Sequence, residues 1–259
     1  NLALLDVEVK FITAFGEDIH AGEIQHSCRE NGIDITHSRS VSGASTSTYM
    51  FITDENGDMQ LAVSDMEIYS YLTPEYIASK LDVINNASLC VIDTNLPAET
   101  IQYLCENCTV PIFADPVSTA KAVKLLPVLG KIHTIKPNML EAALLTGIPV
   151  TDERSARKAV DILLELGVRQ VFLSMGAAGV LYGNARGKKR IPNYPAEIRN
   201  TTGAGDSFMA ALVMAYLSEF STEKAARCGL AAAAICIEGE NTINEKLSRQ
   251  AVLDRISEN

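Results

Sequence analysis

From about Ile84 onward the chain alternates short β-rich runs with helical patterns, and this alternation restricts the fold more than any other feature. Strand and helix in regular succession join most simply as βαβ units, which build a parallel sheet buried between helices. The fold class is therefore α/β, with a mostly parallel central sheet and helices on both faces. Residues 7–14, 87–93, 111–115, 134–136, 170–174 and 180–182 read as strands. Residues 19–31, 74–82, 98–107, 139–146, 152–166, 205–217, 222–237 and 247–257 read as helices. Punctuation supports the fifth helix: Thr151-Asp152-Glu153 supplies a cap and an acidic first turn, and Leu166-Gly167 closes the segment.

Residues 35–63 break the alternation. They have no helical period and carry β-rich runs at 47–53 and 59–63, separated by Asp54-Glu55-Asn56-Gly57-Asp58. This pattern predicts a hairpin with Asn56-Gly57 at its turn. A small β-element cannot bury both of its faces alone, so it is expected to pack over the main sheet, against another subunit, or both. It reads as a lid over residues 35–66, with 1–34 and 67–259 forming the core. Apolar residues on the lid strands further suggest a homodimer in which lids pair.

The 259 residues, 47% of them hydrophobic, can bury one large core. Apolar runs such as residues 230–237 fall short of the roughly 20 residues a membrane helix needs, so no membrane partner is expected. A net charge of −10 opposes tracking of a phosphate backbone, which argues against nucleic acid as a partner. The six cysteines lack the spacing of a disulfide scaffold and fit a reducing cytoplasm. Cys105 and Cys108 read as buried or incidental thiols, since no second pair follows at zinc-finger spacing. The four histidines are dispersed, and His133, just before a strand, reads as structural. The opening Asn1-Leu2-Ala3-Leu4-Leu5 resembles the end of a helix entering a strand, so a preceding segment is expected.

The chemistry concentrates in residues 200–213, NTTGAGDSFMAALV. Small residues at 201–205 leave the backbone open at a helix start, where amide N–H groups lack intrahelical partners and attract anions. Glycine there permits positive φ and close approach of a phosphate. Asp206 falls in the first helical turn, where the dipole favours an ionised carboxylate. Beside a hydroxylated substrate it could act as general base while the amides stabilise a transferring phosphoryl group. On GAGD alone, tight packing and a cap explain these residues equally well. Lys136-Pro137-Asn138-Met139-Leu140-Glu141 joins a strand to a helix and sets Asn138 and Glu141 one turn apart, suited to orienting Mg²⁺ or its waters, or to capping the helix. Ser174-Met175-Gly176-Ala177-Ala178-Gly179 follows a buried strand, where open α/β sheets place ligands.

The whole string NTTGAGDSFMAALV is similar to a signature of the ribokinase-like, or PfkB-type, carbohydrate and nucleoside kinases, and the resemblance extends over nearly all of the chain. It implies an ATP-dependent transfer to an alcohol group of a small nucleoside or sugar. It also implies that Asp206 is the catalytic base and that Gly203, Ala204 and Gly205 form the anion hole. Asn138 and Glu141 resemble the family's Asn-x-x-Glu motif for magnesium and phosphate, while Ser174, Gly176 and Gly179 resemble its strand-end motif near ATP.

Further strings, Ser45–Tyr49, Asp93-Thr94-Asn95, Asp115–Ser118 with Lys121, and His133–Asn138, narrow the resemblance toward a nucleoside kinase acting on a ribose 5′-hydroxyl. Ribokinase, fructokinase or another nucleoside kinase is the alternative within the family. On this reading Thr48, Asp93 and Asn95 are substrate-binding residues, and Asp93 and Asn95 end a strand on the ligand side. Two departures stand out. The family's N-terminal Gly-Gly-x-x-x-Asn sugar-binding motif would lie before Asn1, and Asn200 replaces an Asp that many relatives use at a monovalent-cation site, which puts K⁺ activation in doubt. A Walker A loop, HExxH, GxSxG and a strand-borne GxGxxG are all absent, which removes P-loop, zinc-protease, esterase and Rossmann oxidoreductase readings.

Overall fold

The structure, a computed structural model, describes residues 1–53 and 59–257. A 3₁₀ turn (Ala3–Leu5) precedes β1 (Ala14–Phe15), α1 (Ile19–Glu30), β2 (Arg39–Ser40), β3 (Thr48–Thr53) and β4 (Met59–Asp65). Two short helices follow, α2 (Pro74–Ala78) and α3 (Leu81–Asn85). The alternating region is β5 (Cys90–Asp93), α4 (Ala98–Asn107), β6 (Ile112–Asp115), α5 (Thr119–Ala122), a 3₁₀ stretch (Val123–Lys131), β7 (Thr134–Ile135), α6 (Met139–Thr146), α7 (Glu153–Glu165) and β8 (Gln170–Ser174). Strands β9 (Val180–Asn184) and β10 (Gly187–Ile191) then lead to α8 (Ala204–Leu217), α9 (Thr222–Ile237) and α10 (Arg249–Ser257).

The central sheet has six strands in the order β10-β9-β8-β7-β6-β5, so neighbours in sequence are neighbours in space. Strands β5 to β8 run parallel, and β9 and β10 continue as an antiparallel meander. Successive crossovers that all advance in one direction deliver their helices to one face of a sheet. That face packs Leu104 of α4, Leu145 of α6 and Leu163 of α7 against Ile112, Ala114, Val171 and Leu173. The opposite face is covered by the C-terminal helices, which bring Phe208, Leu212, Leu230 and Val252 against Phe113, Phe172 and Val180. Adjacent residues of β6 and of β8 thus enter opposite cores, the period of two that a doubly buried strand requires.

Several elements depart from the sequence expectation. Of residues 7–14 only the last joins a strand, and β1 pairs in parallel with β2 outside the central sheet. Upstream, Phe11 N donates to Asp34 O (2.7 Å) and Asp34 N to Val9 O (2.9 Å), with Glu8 and Lys10 exposed, so this run lies extended along the surface. The helix expected over 74–82 is broken where the Ser79 hydroxyl bonds back to Tyr76 O (2.6 Å). Strand β10, GKKRI, is not among the strands expected from the sequence; it is the charged, exposed edge of the sheet, where lysines discourage further pairing.

The predicted hairpin forms. Strands β3 and β4 pair antiparallel from Thr48↔Asp65 to Thr53↔Met59. Asn56-Gly57, expected at its turn, lies outside the described residues. Neither strand joins the central sheet. The base of the hairpin is fixed by Asp18, which caps α1 through Ala21 N (2.8 Å) and also accepts from Thr46 N (2.5 Å) and Thr46 Oγ1 (2.8 Å). These bonds, those from Thr46 and Ala21 foremost, hold the Asp18 carboxyl below its ordinary pKa. The described cysteines are free thiols. His133 stacks on Phe113 at 5.6 Å and meets Tyr216 edge-on at 5.3 Å, before β7 rather than at its carboxyl end.

Candidate active site

Parallel strands aligned in register bring their carboxyl ends to one edge, and here that edge collects the polar residues. Asp93 ends β5 directly beside Asp115 at the end of β6. Lys136 follows β7, and Ser174 ends β8, bridged to Asn138. The side chains interlock. Asn95 donates through N and Nδ2 to the two oxygens of Asp93 (2.8 and 2.7 Å), while its Oδ1 accepts from Lys121 Nζ (2.5 Å). Lys124 Nζ donates to Thr94 O (2.9 Å) and Leu96 O (2.8 Å), closing the loop after β5.

Helix α8 points its N-terminus at this edge. Gly203 is its N-cap with φ +86°, and a Cβ there would collide with Thr242 O, so the turn into the helix requires glycine. Ser207 N makes the first helical bond, to Gly203 O (2.9 Å), and Ala204 N donates weakly to Thr201 O (3.4 Å). Among the described residues the amides of Gly205 and Asp206 have no acceptor, which leaves them open to an anion. Asp206 is solvent-accessible yet set against the crowded strand ends. Its pKa is raised, first by desolvation and then by Asp115, with Lys136 opposing and Asp93 reinforcing. These charges act on it because α8 meets the ends of β5, β6 and β7 here, with Lys136 Nζ beside the preceding residue, Gly205.

Asn138 and Glu141 form a complete capping box. Asn138 Oδ1 accepts from Glu141 N and Glu141 Oε2 from Asn138 N, both at 2.9 Å. Capping and metal positioning are compatible here, because Glu141 Oε1 has no hydrogen-bond partner among the described residues. Burial raises the Glu141 pKa, with the bond from Asn138 and the charge of Lys136 acting against it. No group of three or more His, Cys, Asp or Glu side chains capable of holding a metal occurs among the described residues. A divalent ion would therefore fit here only if most of its oxygen ligands came from phosphates and water.

Ser174 and Gly176 lie at the rim: Ser174 N donates to Pro137 O (2.9 Å), and Gly176 is exposed with φ +56°. Gly179 is buried with φ +94°, and Ile191 O occupies the space where a Cβ would stand, so close packing on β10 accounts for this glycine. Thr48 begins β3, half-buried, with its hydroxyl donating to Thr46 O (3.3 Å). Asn200 Oδ1 accepts from Thr202 N (2.9 Å) and Nδ2 donates to Glu240 O (3.0 Å), so the amide cross-links the segment before α8 to the loop after α9.

Two residues had no assigned role in the sequence reading beyond membership of longer strings: Asp115 and Lys136. Their ion pair (3.1 Å) is largely shielded from solvent and lies between the strand ends and α8. A polar residue directly after each of two apolar strand runs was the available signal.

A family signature described as pfkB family carbohydrate kinase matches residues 1–249. The chain is 32% identical to the pseudouridine kinase of Escherichia coli (strain K12) over 261 aligned positions, covering 99% of this chain and 82% of that protein. Among solved structures, a carbohydrate kinase from Agrobacterium tumefaciens superposes with a TM-score of 0.83 at 28% identity, covering 99% of this chain and 82% of the other. The ribokinase of Arabidopsis thaliana, solved with ribose and ATP, superposes with a TM-score of 0.83 at 23% identity, covering 98% and 83%.

Proposed function

Because the chain belongs to the pfkB family of carbohydrate kinases, we infer that it transfers the γ-phosphoryl group of ATP to the 5′-hydroxyl of pseudouridine. The observation that carries this reading is Asp206 on the first turn of α8, next to open amides and facing the carboxyl ends of β5 to β7. Asp206 accepts the proton of the attacking hydroxyl. The amides at 203–205 and that of Asp206 receive charge developing on the phosphoryl oxygens. Ser174 and Gly176 form the nucleotide shelf, and Gly179, packed on Ile191, closes the turn that carries them. Asn138 and Glu141 would hold Mg²⁺ through water, and such an ion would supply neutralisation of phosphate charge. Asp93, Asn95 and Thr48 contact the nucleoside.

Similarity to the E. coli pseudouridine kinase supports the choice of acceptor, as do the strings at 93–95 and 115–118. The lid supports a homodimer: Met50, Ile52, Leu61 and Val63 are exposed, and register pairs Met50 with Val63 and Ile52 with Leu61. Two such apolar sheets would bury each other. No described helix is long and apolar enough to cross a membrane.

The deciding experiment offers pseudouridine, uridine, adenosine, ribose and fructose with ATP and follows ADP release. Pseudouridine is expected to be the preferred acceptor by kcat/KM. Phosphorylation of a free sugar but not of pseudouridine would overturn the choice in favour of a ribokinase or fructokinase.

A further inference from the structure

Lys136 is 8% exposed, and its Nζ has a single partner among the described residues, Asp115 Oδ2 at 3.1 Å. An ammonium carries three donors, so this buried charge is under-satisfied. A lone buried ion pair contributes little net stability, and apolar residues of similar volume would serve the core at least as well. Its surroundings are those of the site. A Cβ built on Gly205 would lie 3.2 Å from Lys136 Nζ, so the ammonium abuts the first turn of α8 beside the unpartnered amides.

Asp115 is held with unusual care. Its Oδ1 accepts from Val117 N (3.0 Å), which leaves Oδ2 for Lys136. Val117 has φ +61°, a left-handed conformation that a β-branched residue avoids. Pro116 O receives both Thr94 Oγ1 (2.5 Å) and Ser118 N (2.6 Å), so the strained turn is fixed from two sides. Such over-determined strain clusters at functional sites.

We propose that Lys136 is a further catalytic residue: its ammonium, held in place by Asp115, binds an oxygen of the transferring phosphoryl group beside the amides of Gly205 and Asp206. This rests on the reading of the site as a phosphoryl-transfer centre, but not on the identity of the acceptor. As the acceptor oxygen bonds to the γ-phosphorus, the bond from that phosphorus to the bridging oxygen breaks. Its electron pair leaves with ADP, and the hydroxyl proton passes to Asp206. Charge spreads over the phosphoryl oxygens meanwhile, and a compact cation adds to the amides what dipoles alone supply weakly. Asp115 is a positioning residue that keeps the ammonium from collapsing onto Asp206.

The test compares wild type, Lys136→Met and the double variant Lys136→Met with Asp115→Asn. Single turnover uses whichever acceptor of the panel wild type prefers. The rate is expected to fall by about 10²–10³ in both variants, with ADP affinity changed little. The double variant removes both charges of the pair, so it restores thermal stability but not rate. A structural ion pair would show the opposite, with rate returning alongside stability, and that result overturns the proposal. A second arm needs no acceptor: retention of ADP in the presence of fluoroaluminate, a mimic of the transferring group, is expected to be lost in Lys136→Met. Undiminished retention also overturns it. If wild type phosphorylates nothing in the panel yet retains ADP with fluoroaluminate through Lys136, the acceptor assignment fails and this one stands.

Discussion

The carboxyl edge of the central sheet and the β3–β4 hairpin both present polar backbone and open surface, but they are built on different principles. At the sheet edge each group is held by another: Asp93 by Asn95, Asn95 by Lys121, Asp115 by Val117 and Lys136, and Asn138 by Glu141. The hairpin has one anchored end, the Asp18–Thr46 bonds, and beyond it an apolar face exposed on Met50, Ile52, Leu61 and Val63. A reaction that depends on sub-ångström positioning belongs at the braced edge, where packed helices and a sheet hold the geometry. On the reading proposed above the hairpin is a cover, and a strip of two strands with one anchored end suits admitting substrate and meeting a second surface.

The contrast breaks most sharply at Asp206. Asp206→Asn is expected to lower the chemical rate by about two to four orders of magnitude while ATP binding persists, measured by single turnover and equilibrium titration. Turnover near the wild-type rate would refute the base assignment. Because the folded pKa of Asp206 is raised, the ionised carboxylate destabilises the fold once pH exceeds its unfolded value, so the same variant should keep or increase the melting temperature. The raised pKa also predicts that the acidic limb of kcat/KM lies above 3.8, the ordinary value, with activity lost as pH falls through the shifted one.

Next in size is Gly203→Ala, which places a Cβ against Thr242 O at a positive φ. It is expected to cost about 1–3 kcal/mol in stability and to reduce turnover with it, read by denaturant unfolding and initial rates. The matching change in the lid is Met50→Lys with Leu61→Lys. Both side chains are exposed, so the stability of the chain itself should move by no more than about 0.5 kcal/mol. Sedimentation is expected to change from dimer to monomer. A wild-type monomer at micromolar concentration would remove the pairing role of the hairpin and leave the exposed face unexplained.

The smallest expected effect concerns Asn200. Its amide donates to Glu240 O and accepts from Thr202 N, a link that a carboxylate cannot complete without a cation between two oxygens. Replacement of Na⁺ by K⁺ should therefore change wild-type turnover little. Asn200→Asp should lose about 1 kcal/mol and regain part of it in K⁺, visible as a salt-specific shift in melting temperature.

The legible parts of the molecule were those encoded locally. The helix start at 203–206 announced itself through glycines next to an acid, and the hairpin through β-rich runs around an Asn-Gly pair. The strands of the sheet were readable wherever they are buried on both faces, as in residues 170–174. Legibility failed where the physical cause is non-local. Strand β10 is charged because it is an edge, so it lacks the apolar run by which the buried strands are read. Gly179 reads as part of a Gly-rich loop because glycine permits many things, and its tight packing on Ile191 is visible only in the folded chain.

The amino-acid sequence by itself determined the α/β class, the hairpin and the glycine-rich helix start that carries Asp206, because periodicity, turn chemistry and helix starts act over a few residues. Only the tertiary structure decided which groups meet at the strand ends: Asp93 beside Asp115, Lys136 paired to Asp115 against Gly205, and Asn200 tied to Glu240. Those contacts depend on strand order and on the approach of α8 to the sheet edge. Order and approach are fixed by how two cores close on opposite faces of one sheet, a property of the whole chain and of no segment within it.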